Sequence, residues 1–120
     1  MTEQKQIKLF ANANDLKTVL AANYQKQIVN YFGDEKKALK FLSGVVADVQ
    51  RTPKLLECTP ATLINSYIVM AQLEFMPSDV SGEAYVLPYK NQGVMEAQFQ
   101  LGYKGLVTLF YRAGVNPIVS

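Results

Sequence analysis

The sequence contains no histidine. The usual imidazole base is missing, and with it the Ser-His and Cys-His nucleophile pairs and most zinc sites. Acid–base catalysis would have to run on carboxylates or lysines alone. Cysteine occurs once, at Cys58, so no intrachain disulfide can form. Lying just before Thr59-Pro60, Cys58 reads as a small apolar side chain at a helix entrance rather than a redox centre. No apolar run approaches the roughly 18 residues that a membrane helix needs. The opening MTEQKQIKLFANAND lacks the apolar stretch of a secretory signal, so a cytoplasmic location is expected. There is no G-x-x-x-x-G-K-[ST] phosphate loop, which disfavours ATP-driven strand exchange. Nucleophile elbows of the G-x-S-x-G kind, D-x-D calcium loops, internal repeats and low-complexity tracts are also missing. Metal and cofactor sites are therefore not expected.

What remains is a chain of 120 residues, 49% hydrophobic, which is enough to form a core. Its net charge of +2 is small, but the charge is unevenly spread. Residues 34–83 carry a net −2, whereas residues 84–120 hold Lys90, Lys104 and Arg112 against Glu96 alone. The C-terminal third is basic and sparsely charged. A basic stretch of this kind suits a polyanion, and it is also what an ordinary mixed surface contains.

Periodicity divides the chain into a helical part and a part with strands. Residues 1–14 read as a flexible arm. From Asp15, a plausible N-cap, Leu16, Val19, Leu20, Tyr24, Ile28 and Tyr31 recur at helical spacing until Gly33. A second helix is expected from Asp34 to Pro53, with Leu39, Leu42, Val45, Val46 and Val49 as its apolar stripe. Thr59-Pro60 opens a third, as a hydroxyl cap followed by proline, and the break at Met76-Pro77-Ser78 closes it. Strands are expected over residues 84–89 and 96–102, joined by a turn over residues 90–95. Pro88 has no amide donor, which confines the first strand to an edge or a bulge. A fourth helix, residues 103–113, should turn Leu106, Leu109, Phe110 and Ala113 inward and stop at Gly114. Ile118-Val119 looks like the opening of a further strand. The expected fold class is α+β: an N-terminal helical lobe, a β-hairpin and a packing helix.

The hairpin and the helix after it hold the candidate site. Gln98 and Gln100 share one strand face, and Lys90 lies in the turn. Tyr103, Lys104 and Arg112 fall at and along the helix, whose first amides suit a phosphate oxygen. Tyrosines offer stacking surface to bases in a sequence-tolerant way. The same face is also what a half-buried hairpin normally presents to water, and Tyr85, Tyr89 and Tyr103 also read as core residues with a wet hydroxyl.

Several segments, in order and spacing, carry a family resemblance. They are Pro53-Lys54-Leu55-Leu56-Glu57-Cys58-Thr59-Pro60, Ala71-Gln72-Leu73-Glu74-Phe75-Met76-Pro77, GEAYVLPY at residues 82–89, Gln98-Phe99-Gln100-Leu101-Gly102-Tyr103-Lys104-Gly105, and Arg112-Ala113-Gly114. Together they resemble the RecT family of phage and prophage recombination proteins. The resemblance implies an ATP-independent, non-enzymatic protein that binds single-stranded DNA and anneals complementary strands. It also implies self-association into rings or filaments and a phage exonuclease as partner. On that pattern residues 15–120 form the N-terminal portion of a DNA-annealing domain, as part of a larger sheet-containing fold. Lys104 and Arg112 then meet phosphates, Lys90 is a turn contact, and Gln98, Gln100 and Tyr103 lie near the DNA. One departure is visible: family members usually have Leu-Gly-Leu where this chain has Leu73-Glu74-Phe75. The alternative is a protein–protein oligomerisation module with little DNA binding of its own.

Overall fold

The computed structural model describes residues 8–77 and 81–114. Over these residues the fold is α+β: four α-helices, one short 3-10 helix and a two-stranded antiparallel hairpin.

Helix α1 spans Ala13–Phe32 and begins earlier than its spacing suggested. The cap is Asn12, not Asp15: the Asn12 side chain accepts from the Asp15 amide at 2.9 Å. Both residue types cap well, and burial of Ala13 anchors the extra half-turn. Ala13 and Asn14, expected to belong to the arm, are thus helical, and residues 1–7 lie outside the described residues. Gly33, at φ 69°, ends α1 in the left-handed conformation, and Asp34 then caps α2 (Glu35–Arg51) by accepting from the Lys36 amide. These two caps fold α1 and α2 into an antiparallel pair, with Phe32 and Phe41 rings 5.5 Å apart. The buried stripe of α2 is Ala38, Phe41, Leu42, Val45 and Val49. Leu39 does not belong to it and is 51% exposed. One residue after Ala38, it is turned about 100° away from the core side.

Thr52 and Pro53 end α2, and the 3-10 helix Pro53–Glu57 carries the chain past buried Leu55 and Cys58. Helix α3 (Pro60–Gln72) follows. The Thr59 hydroxyl makes no bond to an α3 amide, contrary to the expected cap; it pairs instead with the Thr62 hydroxyl at 2.8 Å. Leu63, Ser66, Tyr67, Met70 and Ala71 form the buried face, while Ile64 and Ile68 are half-buried. Tyr67 is completely buried and donates to Asp48 Oδ2 at 2.5 Å, which ties α3 to α2; Asp48 also pairs with Arg51 at 3.0 Å.

Helix α3 stops at Gln72, before the Met76-Pro77-Ser78 break that the sequence offered. The Glu74 amide bonds back to the Ala71 carbonyl and the Phe75 amide to the Met70 carbonyl. This is the two-bond helix stop that places a left-handed residue just past the end. Here that residue is Glu74, at φ 59°, and Phe75 follows into the core. A non-glycine residue is strained there, because its Cβ crowds the following carbonyl. Glu74→Gly should therefore raise stability by about 1 kcal/mol, read as a higher urea midpoint at unchanged slope. An unchanged or lower midpoint would count against this account of the helix stop.

Strands β1 (Ala84–Asn91) and β2 (Val94–Leu101) pair from Ala84↔Leu101 to Asn91↔Val94. The turn is tighter than the expected segment 90–95. Only Gln92 and Gly93 lie outside the strands, both at positive φ (51° and 83°), the geometry that matches the twist of a hairpin. Ala84, Val86 and Ala97 bury one face of the sheet, with Met95, Phe99 and Leu101 beside them. The outer edge of β2 is closed by the start of α3: the Thr59 amide donates to the Met95 carbonyl, and the Ala97 amide donates to Thr62 Oγ1 at 2.9 Å. Since Ala97 bonds outward, its partner Pro88 also points its backbone away from the ladder. The missing donor of Pro88 thus lies on the side of β1 away from β2, where no strand pairs among the described residues, in keeping with its expected place on an edge strand.

Helix α4 (Tyr103–Arg112) packs only partly as expected: Leu109 lies against the core, but Leu106, Phe110 and Ala113 do not turn inward. Leu106 is 42% and Phe110 39% exposed, and Ala113 is exposed as well. Gly105 is the buried residue, and Thr108, Leu109 and Arg112 share its side. Glycine permits a backbone approach that larger apolar side chains would prevent, so the small face goes inward. Gly114, at φ 82°, follows the helix. The strand expected at Ile118-Val119 lies outside the described residues. Among the described residues no helix is long and apolar enough to cross a membrane.

Candidate nucleic-acid interface

The hairpin register puts two separate sequence features on one surface. Tyr85 pairs with Gln100, Leu87 with Gln98, and Tyr89 with Glu96. With a side-chain period of two, all six project from the face opposite the core. Leu87 is 47% exposed and Gln98 and Gln100 are exposed beside it. Glu96 puts a carboxylate toward the turn end of this face, where it accepts from Tyr89 Oη at 3.0 Å and Asn91 Nδ2 at 3.3 Å. The hydrogen bond to Glu96 pushes the Tyr89 phenol above its usual range.

Helix α4 meets the other end of this face through its glycines. A Cβ on Gly102 would strike the Gly82 carbonyl oxygen, and one on Gly105 the Glu83 carbonyl oxygen. The Gly102 amide also donates to the Glu83 carbonyl at 2.8 Å. The ring edge of Tyr85 lies 3.1 Å from where a Gly102 Cβ would be, and the Lys104 stem runs alongside Gly82. Tyr85, Gly102 and Lys104 are therefore neighbours. Among the described residues no side chain caps α4 at Gly102, so its first amides are available beside the exposed Lys104. Tyr103 stands out furthest, at 79% exposure.

A cleft of about 520 Å³ runs along α4, lined by Ser81, Glu83, Tyr103, Lys104, Thr108 and Tyr111 among others. The Glu83 carboxylate in this cleft accepts from Thr108 Oγ1 at 2.8 Å. Among the described residues no three His, Cys, Asp or Glu side chains are grouped to hold a metal ion.

The structure gathers Gln98, Gln100, Tyr103 and Lys104 around one end of the hairpin. It does not bring Lys90 or Arg112 to the same surface. Lys90 has the strand parity of Val86 and Pro88, on the other side of the sheet, and is exposed only because the hairpin extends past the core. Arg112 lies on the inner side of α4, where its guanidinium donates to the Leu73 and Glu74 carbonyls and covers the Phe75 ring at 4.9 Å. Sequence reasoning did not join Tyr85 and Leu87 to the glutamine face. Recognising Gln92-Gly93 as a two-residue turn would have fixed the register and joined them.

The RecT family profile matches residues 39–117. Protein RecT of Escherichia coli (strain K12) is 25% identical over 109 residues, covering 88% of this chain and 38% of its own length. The uncharacterized protein YqaK of Bacillus subtilis (strain 168) is 33% identical over 79 residues, covering 66% of this chain and 26% of its own. This chain thus spans 38% and 26% of the lengths of these two relatives. No solved structure matches.

Proposed function

This chain belongs to the RecT family, and we propose from that premise that it binds single-stranded DNA and takes part in ATP-independent annealing during recombination, without bond-making chemistry of its own. The observation that carries the reading is the shared surface of Tyr85, Leu87, Gln98 and Gln100 with Tyr103, Lys104 and the uncapped end of α4. Lys104 and the helix amides take phosphates. The tyrosines and Leu87 offer flat apolar area to bases, worth about 1–3 kcal/mol per stacked base. Gln98 and Gln100 both donate and accept, so they can serve any base edge. Glu96 repels phosphate from the turn end of this face, which leaves that part of the face for bases, while Lys90 lies on the opposite side. Lys90 meets a phosphate where the strand wraps around the hairpin. A strand held by its phosphates keeps its bases available for pairing, and counterion release supplies part of the drive. Single-stranded DNA and the annealed duplex are the ligands on this reading, and a phage exonuclease supplies the single strands. The setting is the cytoplasm of a bacterium carrying the phage or prophage.

A salt titration with a labelled thymidine oligonucleotide tests it. Log affinity should fall with log salt, by about 0.7 for each phosphate neutralised. Lys104→Ala should flatten that slope by about 0.7, while Gln100→Ala should weaken binding at unchanged slope. Salt-independent binding, or a Lys104→Ala variant identical to the parent, would overturn the assignment.

A second reading has its own observation. Leu106, Val107, Phe110 and Tyr111 form an apolar arc on the outer side of α4, with Leu106, Phe110 and Tyr111 exposed. This arc suits self-association into rings or filaments, in which the chain acts as a protein–protein module. Sedimentation tests the self-association, and the salt titration above separates the two readings, because a protein–protein module should show little salt-dependent oligonucleotide binding.

A further inference from the structure

We infer that Arg112 is a positioning residue that latches α4 to the end of α3 and so sets where the Tyr103–Lys104 end of α4 points. The inference rests on the DNA-binding reading above for its functional consequence, and on geometry alone for the latch.

Among the described residues, hydrogen bonds and close backbone contacts hold helix α4 at two places, with Leu109 resting against the core between them. Its N-terminal half rests on the hairpin through the Gly102 and Gly105 contacts with residues 82–83 and the Thr108–Glu83 hydrogen bond. Its last residue, Arg112, reaches across to α3. One guanidinium nitrogen donates to the Leu73 carbonyl and the other to the Glu74 carbonyl at 3.2 Å. These carbonyls lie at the C-terminal end of α3, where oxygens lack intrahelical donors and the helix dipole is negative. The left-handed turn at Glu74 sends the chain on to Phe75, whose ring lies beneath the guanidinium at 4.9 Å. A planar fork satisfies two carbonyls and a ring face at once; an ammonium group cannot. Among the described residues nothing comparable holds the outer side of α4, where Tyr103, Leu106, Phe110 and Tyr111 are exposed. A rod fixed at one point pivots, and one fixed at two does not. Without the latch α4 pivots about Gly105, and the amides beside Lys104 lose their alignment with Tyr85 and Gln100.

Arg112→Gln and Arg112→Lys test this in the full chain by two readouts. Hydrogen exchange of the α4 amides reads the latch without DNA. Exchange should quicken in both variants, because lysine keeps the charge but not the fork. Oligonucleotide binding reads the consequence. Both variants should bind about tenfold more weakly, with the salt slope unchanged. A slope lower by about 0.7 in Arg112→Gln, restored in Arg112→Lys, would show instead that Arg112 neutralises a phosphate. Unchanged α4 exchange in both variants overturns the latch whatever the DNA result. If the parent chain shows no salt-dependent binding, the DNA reading fails, and the exchange data still decide the latch.

Discussion

A single methyl group at position 105 should unseat α4. Within a helix, Gly→Ala normally stabilises by about 1 kcal/mol, because alanine loses less backbone freedom. Gly105 is different. Its missing Cβ is replaced by the Glu83 carbonyl, with the Glu83 carbonyl carbon and Leu101 Cδ1 each 2.9 Å from where a Cβ would sit. Two of these three neighbours are backbone, and that backbone is held by the Gly102–Glu83 hydrogen bond at the base of the hairpin. It cannot rotate aside as a side chain would. Overpacking against fixed atoms costs about 1–3 kcal/mol, which outweighs the propensity gain. Gly105→Ala should therefore lower the urea midpoint and weaken oligonucleotide binding together, since α4 carries Lys104. Gly102→Ala, facing the Gly82 carbonyl, should behave alike. A Gly105→Ala chain as stable as the parent would mean that α4 does not approach the hairpin this closely.

The Tyr67–Asp48 hydrogen bond should be the costliest polar contact to break. Asp48→Ala leaves a fully buried phenol without an acceptor, at a cost of about 1–3 kcal/mol. Tyr67→Phe removes the donor and leaves a carboxylate still paired with Arg51, so its cost should fall at the lower end of that range. The pair also predicts a pH dependence. Burial first, and then the charge and hydrogen bond of Asp48, hold the Tyr67 phenol well above its ordinary value of 10.0. In the unfolded chain the phenol ionises near that ordinary value, so above it the folded chain binds the extra proton. The stabilisation is complete below about pH 10 and falls by up to about 1.4 kcal/mol per pH unit above it. Cys58 has the same sign: burial, then the charges of Glu57 and Glu96, raise its thiol above 9.0. Measured in a Cys58→Ala background, unfolding free energy should therefore decline above pH 10, and Tyr67→Phe should flatten that decline. Parallel pH curves for the two chains would remove Tyr67 as its source.

Most of the helical lobe was legible because its signals are local. Asp34, Gly33 and Thr59-Pro60 mark helix ends through their own backbone preferences, and Leu16, Leu20, Val45 and Leu63 repeat at the helical period. The errors arose where a local signal had an equal competitor or no local form. Asn12 and Asp15 are both good caps, and only the burial of Ala13 chose between them. Glu74 and Gln92 adopt a left-handed conformation that their residue types do not advertise, which hid the end of α3 and the hairpin register. The inward face of α4 was misplaced at Leu106 and Phe110, though not at Leu109, because a close glycine contact outranked the usual inward turn of large apolar side chains. The partners of Arg112 lie 39 and 38 residues earlier. No spacing rule reaches that far, and a lone arginine in a basic stretch reads naturally as a phosphate ligand.

The edge of β1 away from β2, with which no strand pairs among the described residues, bears on how the protein behaves when crowded. An unpaired strand edge is a template for any other extended chain, including a second hairpin of the same kind. Thr59 and Thr62 occupy part of the β2 edge, at the Met95 carbonyl and the Ala97 amide, so among the described residues β1 offers the freer edge. Pro88 lies within β1 with its backbone turned outward and no hydrogen to offer. A foreign strand laid along this edge loses one rung of its ladder part-way along, and Lys90 adds a positive charge two residues further on. The same proline that spares the native hairpin any loss therefore discourages runaway sheet growth, and keeps a small, tyrosine-rich hairpin from seeding aggregates.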